Sequence, residues 1–121
     1  MANLPYNSRA LIWMGSSRKD LSALPADVRR TFGYGLRLVQ NGETPDFAKP
    51  LTGFGSGVME LRSDFDSDTY RAVYVAKLGS SIYVLDVFRK KSTRGRNLPK
   101  AHRIRIETRL RDARKLEGTT R

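Results

Sequence analysis

The stretch Tyr70-Arg-Ala-Val-Tyr-Val-Ala-Lys-Leu-Gly-Ser-Ser-Ile-Tyr-Val-Leu-Asp-Val-Phe-Arg89 decides the fold. From Tyr70 to Leu78 the side chains alternate: Arg71, Val73, Val75 and Lys77 fall on one face of a strand, and Tyr70, Ala72, Tyr74 and Ala76 on the other. Leu78-Gly-Ser-Ser81 supplies turn residues, and Ile82 to Arg89 is rich in the β-branched and aromatic residues of a returning strand. Two strands joined by so short a link pair antiparallel.

Working outward, Val58 to Asp64 is a further strand of the same meander, followed by the polar turn Asp64-Phe-Asp-Ser-Asp68. Pro45 to Pro50 is extended, and Gly53-Phe-Gly-Ser-Gly57 is a glycine-rich link into the next strand. Nearer the start, Ala10-Leu-Ile-Trp-Met14, ended by Gly15, is long enough for one buried strand. Ser17 to Asp20 has the S-x-x-D spacing of a capping box and opens a short helix over Leu21 and Leu24. Pro25 begins a second helix, whose stripe Val28, Phe32, Leu36 and Val39 is spaced i, i+4, i+8 and i+11 and stops at Asn41-Gly42. Gly33 and Gly35 inside it each cost roughly 1 kcal/mol relative to Ala, which implies close packing. A loop from Lys90 to Leu98 leads to Pro99 and a final helix carrying Ile106, Leu110 and Ala113 at i, i+4 and i+7. The expected architecture is α+β: two N-terminal helices on a small twisted, mainly antiparallel sheet, with a basic C-terminal helix. Residues 1–121 form one domain, with flexible ends at 1–8 and 117–121.

A chain of 121 residues buries one modest core. It has no cysteine and a single histidine, which excludes disulfides, thiolate nucleophiles and the usual zinc sites. No stretch approaches 18 apolar residues, so no membrane partner is expected and the cytoplasm is the default location. The charge is the dominant feature. Lys and Arg number 23 against 12 Asp and Glu, a net +11, and from Arg89 to Arg121 the count is 13 basic against 3 acidic. Such an excess expects a polyanion, with nucleic acid ahead of an anionic membrane. The basic quarter reads either as a solvated tail or as a phosphate-binding face.

Several residues are candidates for chemistry. Gly53-x-Gly-x-Gly57 leads into a strand and lacks the Lys-Ser/Thr of a P-loop, so a structural turn is the stronger reading. Asp64-x-Asp66-x-Asp68 has the opening of a calcium loop, but neither its glycine nor its closing glutamate, and reads as a polar turn. His102 is either a general acid or base or a surface residue. Arg71 alternates with valines in the middle strand, where a guanidinium must be paired, solvated or used. Arg62 and the run Arg89-Lys90-Lys91 are placed to converge with it, as a phosphodiester site needs. The competing reading is a salt-bridge network with Glu60, Asp64 and Asp86.

The order of Pro50-Leu-Thr-Gly53, Val58-Met-Glu-Leu-Arg62, Tyr70-Arg-Ala-Val-Tyr74, Tyr83-Val-Leu-Asp-Val-Phe88, Arg89-Lys-Lys-Ser92, Pro99 and a basic helix resembles the phage-related HigB branch of the RelE/ParE toxin superfamily. The resemblance spans about Ala10 to Leu116. It implies the toxin of a type II toxin–antitoxin pair, an endoribonuclease that cleaves mRNA on the ribosome. An adjacently encoded antitoxin, commonly with a helix-turn-helix domain, would be its partner. It implies no cofactor and no metal, because the substrate's own 2′-hydroxyl is the nucleophile. On this resemblance Arg71 and Lys90 take catalytic positions, with Arg62 beside them. The family's lysines on the strand occupied by Val58 and Glu60, and its tyrosine after the last strand, have no counterpart here. Glu60 and His102 are the alternatives for the base. Arg89, Lys91, Arg94 and Arg96 are expected on RNA near the cut, and Arg103, Arg105, Arg109 and Arg111 on ribosomal RNA. The superfamily also contains gyrase poisons, so a non-catalytic inhibitor or nucleic-acid-binding module is the rival expectation.

Overall fold

A computed structural model of the chain describes residues 8–90 and 98–119. In chain order these form β1 (Ala10–Trp13), α1 (Ser17–Ser22), α2 (Ala26–Gln40), β2 (Ala48–Pro50), β3 (Val58–Phe65), β4 (Asp68–Val75), β5 (Ser81–Lys90) and α3 (Lys100–Thr119). The strands make one sheet in the order β1-β5-β4-β3-β2. Strands β2 to β5 are an antiparallel meander, whereas β1 runs parallel to β5, with Leu11 opposite Ile82. The sheet is therefore mixed, and β5 is shielded on both sides.

Helices α1 and α2 cover one face and α3 the other. Val28, Phe32, Leu36 and Val39 of α2 are all buried against Leu61, Tyr70, Ala72 and Tyr74. Each such side chain contributes about 1.5–3 kcal/mol by leaving water. On the opposite face Ile106, Leu110 and Ala113 of α3 meet Val58, Val73, Val75 and Leu85. The alternation read from β4 is the one observed. Gly35 lies where an added Cβ would stand 2.8 Å from the Phe47 ring, so its packing role holds. Gly33 faces open space, and nothing in the fold requires it.

Some expectations need correction. The N-cap position of α1 is held by Ser16, whose hydroxyl caps no backbone N–H and donates instead to Asp20 Oδ2 at 2.8 Å; Ser17 is already inside the helix, buried and donating to the Val84 carbonyl. The link between β4 and β5 spans 76–80 and is longer than a tight hairpin. The Arg9 guanidinium takes the carbonyls of Ala76, Gly79 and Ser81 there, which holds the link without a ladder. Helix α3 extends to Thr119, and Glu117 accepts a 2.7 Å hydrogen bond from the Tyr83 hydroxyl. Burial, then the bond and charge of Glu117, push the Tyr83 phenol up to about 12. Of the three aspartates, Asp64 lies near the end of β3, Asp68 opens β4, and Asp66 forms with Ser67 the two-residue turn between them, both with positive φ. Asp64 accepts from Thr69 and Asp68 pairs with Arg89, so the polar-turn reading describes them.

One irregularity positions the site. Between Val73 and Tyr74 the β4–β5 register shifts by one residue on β5, a bulge at Leu85–Asp86. Leu85 and Asp86 both face α3 as a result, Leu85 into the apolar cluster and Asp86 onto the helix. Beyond the bulge the parity of β5 is reversed. Phe88 and Lys90 now point to the α3 side, and Arg89 to the other.

Candidate functional site

Past the N-terminal end of α3, four strands contribute to a pocket of about 570 Å³ among the described residues. Its charged residues are Lys49 from β2, Glu60 and Arg62 from β3, Arg71 from β4 and Lys90 from β5. Register explains the convergence: Lys49 is opposite Glu60, Arg62 is opposite Arg71, and Arg71 is opposite Phe88, one same-face step before Lys90. Four cations thus surround one carboxylate.

The inner members are deeply placed, with Glu60 and Arg71 each 5% exposed and Lys90 8%. Glu60 Oε1 lies 3.6 Å from Arg71 Nε and 3.7 Å from Arg62 Nε, too long for good hydrogen bonds. Arg71 Nε is buried and, among the described residues, has no hydrogen-bond partner. Burial pushes the Lys90 ammonium below the usual lysine range, and the charges of Arg71 and Arg62 push it the same way, against the pull of Glu60. Like charges facing each other across a ladder are destabilising. Such a pocket is built for an anion, with directed N–H donors and one acceptor that can take a proton.

Of the expected site residues, Arg71, Lys90, Arg62 and Glu60 are brought together. The rival network is realised only through Glu60: Asp64 bonds Thr69, and the partners of Asp86 all lie on α3. His102 does not line the pocket. Its Nδ1 donates to fully buried Asp86 Oδ2 at 2.8 Å, and its ring stacks on Phe88 with centroids 3.9 Å apart. His102 thereby ties α3 to the sheet outside the pocket. Arg89 does not line the pocket either: the reversed parity sends it to the α1 side, where it pairs with Asp68 at 3.5 Å beside Tyr70 and Pro25.

The arginines of α3 divide in two. Arg109 donates to the Leu85 carbonyl at 2.9 Å and to Ser16 Oγ at 3.2 Å, and its guanidinium fills the space a Cβ on Gly15 would need. Arg105 reaches Asp86 Oδ1 at 3.6 Å. Together the two guanidiniums tie α3 to the sheet and to the β1–α1 turn. Arg103 and Arg111 are exposed, Arg103 reaching the Leu98 carbonyl at 3.4 Å. Lys91, Arg94 and Arg96 lie outside the described residues. Lys49 is the pocket residue that sequence reasoning missed; the signal was its place in the extended segment before Pro50, read for strand parity. The glycines of the 53–57 link all have positive φ, as a turn demands.

Among the described residues no group of three His, Asp or Glu is arranged to hold a metal ion, and no helix is long and apolar enough to cross a membrane.

Fold and pocket together define a class: a small α/β/α-layered protein with a mixed sheet whose open end presents a cationic, carboxylate-bearing cleft. Residues 19–111 match the family model described as Phage derived protein Gp49-like (DUF891), and the chain belongs to that family. Among solved structures it is similar to a chain of the toxin–antitoxin complex RelBE2 from Mycobacterium tuberculosis, with 18% identity and a TM-score of 0.49 over 73% of this chain and 98% of that one. No curated protein sequence matches it significantly.

Proposed function

We propose that this Gp49-like protein is the toxin of a toxin–antitoxin pair and that it cleaves mRNA on the ribosome at the Arg71 pocket. The observation that carries this is the pocket itself: four cations, two of them buried, around one buried carboxylate. The sequence resemblance to the RelE/HigB toxins supports the same reading.

The chemistry follows from the groups present. The 2′-hydroxyl of the substrate attacks the adjacent phosphorus, the bond to the 5′-oxygen breaks, and a 2′,3′-cyclic phosphate and a 5′-hydroxyl result. Glu60 takes the 2′ proton. Lys90, a stronger acid than an ordinary lysine, protonates the departing oxygen. Arg71 donates to the non-bridging oxygens, whose charge rises in the transition state; among the described residues its Nε has no hydrogen-bond partner to give up. A donor of this kind is worth roughly 10²–10³ in rate. The exposed basic residues of α3, Arg103 and Arg111 among them, are left for ribosomal RNA.

The test is expression without the antitoxin, with mapping of mRNA 5′ ends. Growth arrest with new ends inside coding regions supports the reading, and Arg71→Ala abolishes both. Arrest with intact mRNA and inhibited DNA supercoiling overturns it in favour of a gyrase-directed inhibitor.

A further inference from the structure

The pocket is wider than one phosphate. Lys90 and Lys49 sit on β5 and β2, three strand spacings apart, and at about 4.8 Å per spacing that is roughly 14 Å between backbones. Buried Arg71 and Lys90 form the inner end. Lys49 is exposed and, among the described residues, is in no ion pair, even with Glu60 directly across the ladder. Arg62, with 38% of its side chain exposed, stands between the two ends at the rim. One tetrahedral phosphate cannot touch both ends, and the carboxylate of Glu60 lies between them.

We infer that the pocket holds two consecutive phosphates of one RNA strand, the scissile one at Arg71 and Lys90 and its neighbour at Lys49 with Arg62. This rests on the RNA-cleaving reading above and adds a second subsite, which makes Lys49 a positioning residue. The ligand is then a polynucleotide; a mononucleotide leaves the Lys49 end empty. Lys49 holds substrate and transition state equally, since the second phosphate does not react, so it acts on KM and not on kcat.

The experiment uses the full chain and single-stranded oligoribonucleotides blocked by a 2′-deoxy sugar at the cleavage position. Each linkage in turn is replaced by a neutral methylphosphonate, and binding is read by fluorescence anisotropy. The wild type is expected to lose affinity at two adjacent linkages. Lys49→Ala becomes insensitive at one of them, binds roughly fivefold more weakly, the upper range for an exposed ion pair, and shows a salt slope smaller by about 0.7, one phosphate contact to a single strand. Lys49→Arg restores the pattern. On cleavable RNA, Lys49→Ala raises KM with kcat unchanged.

Sensitivity at one linkage only, or an unchanged pattern in Lys49→Ala, overturns the second subsite while leaving wild-type cleavage intact. Two-linkage binding without cleavage keeps the subsite and overturns the nuclease reading. Wild-type protein that binds the blocked strand neither free nor on programmed ribosomes overturns both. Lys49 lies on an exposed edge strand, so its variants fold, which circular dichroism verifies.

Discussion

Replacing Asp86 with alanine tests how α3 is fastened to the sheet. Asp86 is fully buried and carries the only carboxylate facing the N-terminal half of α3 among the described residues. It accepts a 2.8 Å hydrogen bond from His102 and lies 3.6 Å and 3.8 Å from the guanidiniums of Arg105 and Arg109. Breaking a buried ionic pair costs about 3–5 kcal/mol when the partner is stranded. Here the strandings are partial. Arg105 is 40% exposed and turns to water, while Arg109 keeps its bonds to Leu85 and Ser16. The lower end, about 3 kcal/mol, is therefore expected, or roughly 10 °C in Tm for a domain of this size. Urea denaturation followed by circular dichroism measures it, with an unchanged m-value as the sign that only stability moved. Arg105→Ala, the exposed member, is expected to lose less than about 1 kcal/mol. A loss under about 1 kcal/mol for Asp86→Ala refutes the reasoning, because Asp86 would then add little to the apolar contacts of Ile106, Leu110 and Ala113 and the bonds of Arg109 and Glu117.

Other outcomes follow from the same structure. Lys90→Met removes an ammonium whose folded pKa lies below its unfolded value, so the folded state bears a cost below the folded pKa that fades as pH rises toward 10.5. The variant is expected to be inactive yet more stable than wild type at neutral pH, its advantage shrinking in alkali, as urea midpoints across pH record. Gly33→Ala, facing open space, gains about 0.8–1 kcal/mol of helix propensity, whereas Gly35→Ala drives a Cβ to 2.8 Å from Phe47 and loses up to about 2 kcal/mol net; thermal melts of the pair show opposite signs. Tyr83 and Tyr74 are held up at about 12 by burial, and Tyr83 also by Glu117, so ultraviolet titration finds these two tyrosines ionising last. Their unfolded forms ionise near 10, so stability falls as pH rises past that value.

The parts of this fold that follow a local period were legible in the sequence. The α2 stripe and the two faces of β4 are direct consequences of 3.6-fold and twofold repeats, and Arg71 stood out because it broke an apolar face. What the sequence hid was pairing between distant segments. The bulge at Leu85–Asp86 has no local mark, yet it decides that Lys90 and not Arg89 enters the pocket. Without it, the parity running from Tyr83 would have made the opposite choice. Lys49 was hidden for the same reason: a three-residue edge strand has too little pattern to announce its register. The basic C-terminal quarter read as one charged stretch, but Arg105 reaches Asp86 and Arg109 bonds Leu85 and Ser16, a long-range arrangement that charge counting does not separate from solvent-facing arginines.

The most direct test of the central claim is end-group analysis of RNA cut by the purified protein on programmed ribosomes, wild type beside Arg71→Ala. The pocket chemistry predicts a 2′,3′-cyclic phosphate on one fragment and a 5′-hydroxyl on the other, with the rate down at least about 10²-fold in Arg71→Ala at unchanged fold. Cleavage that survives the loss of Arg71, or ends bearing a 5′-phosphate, would contradict it.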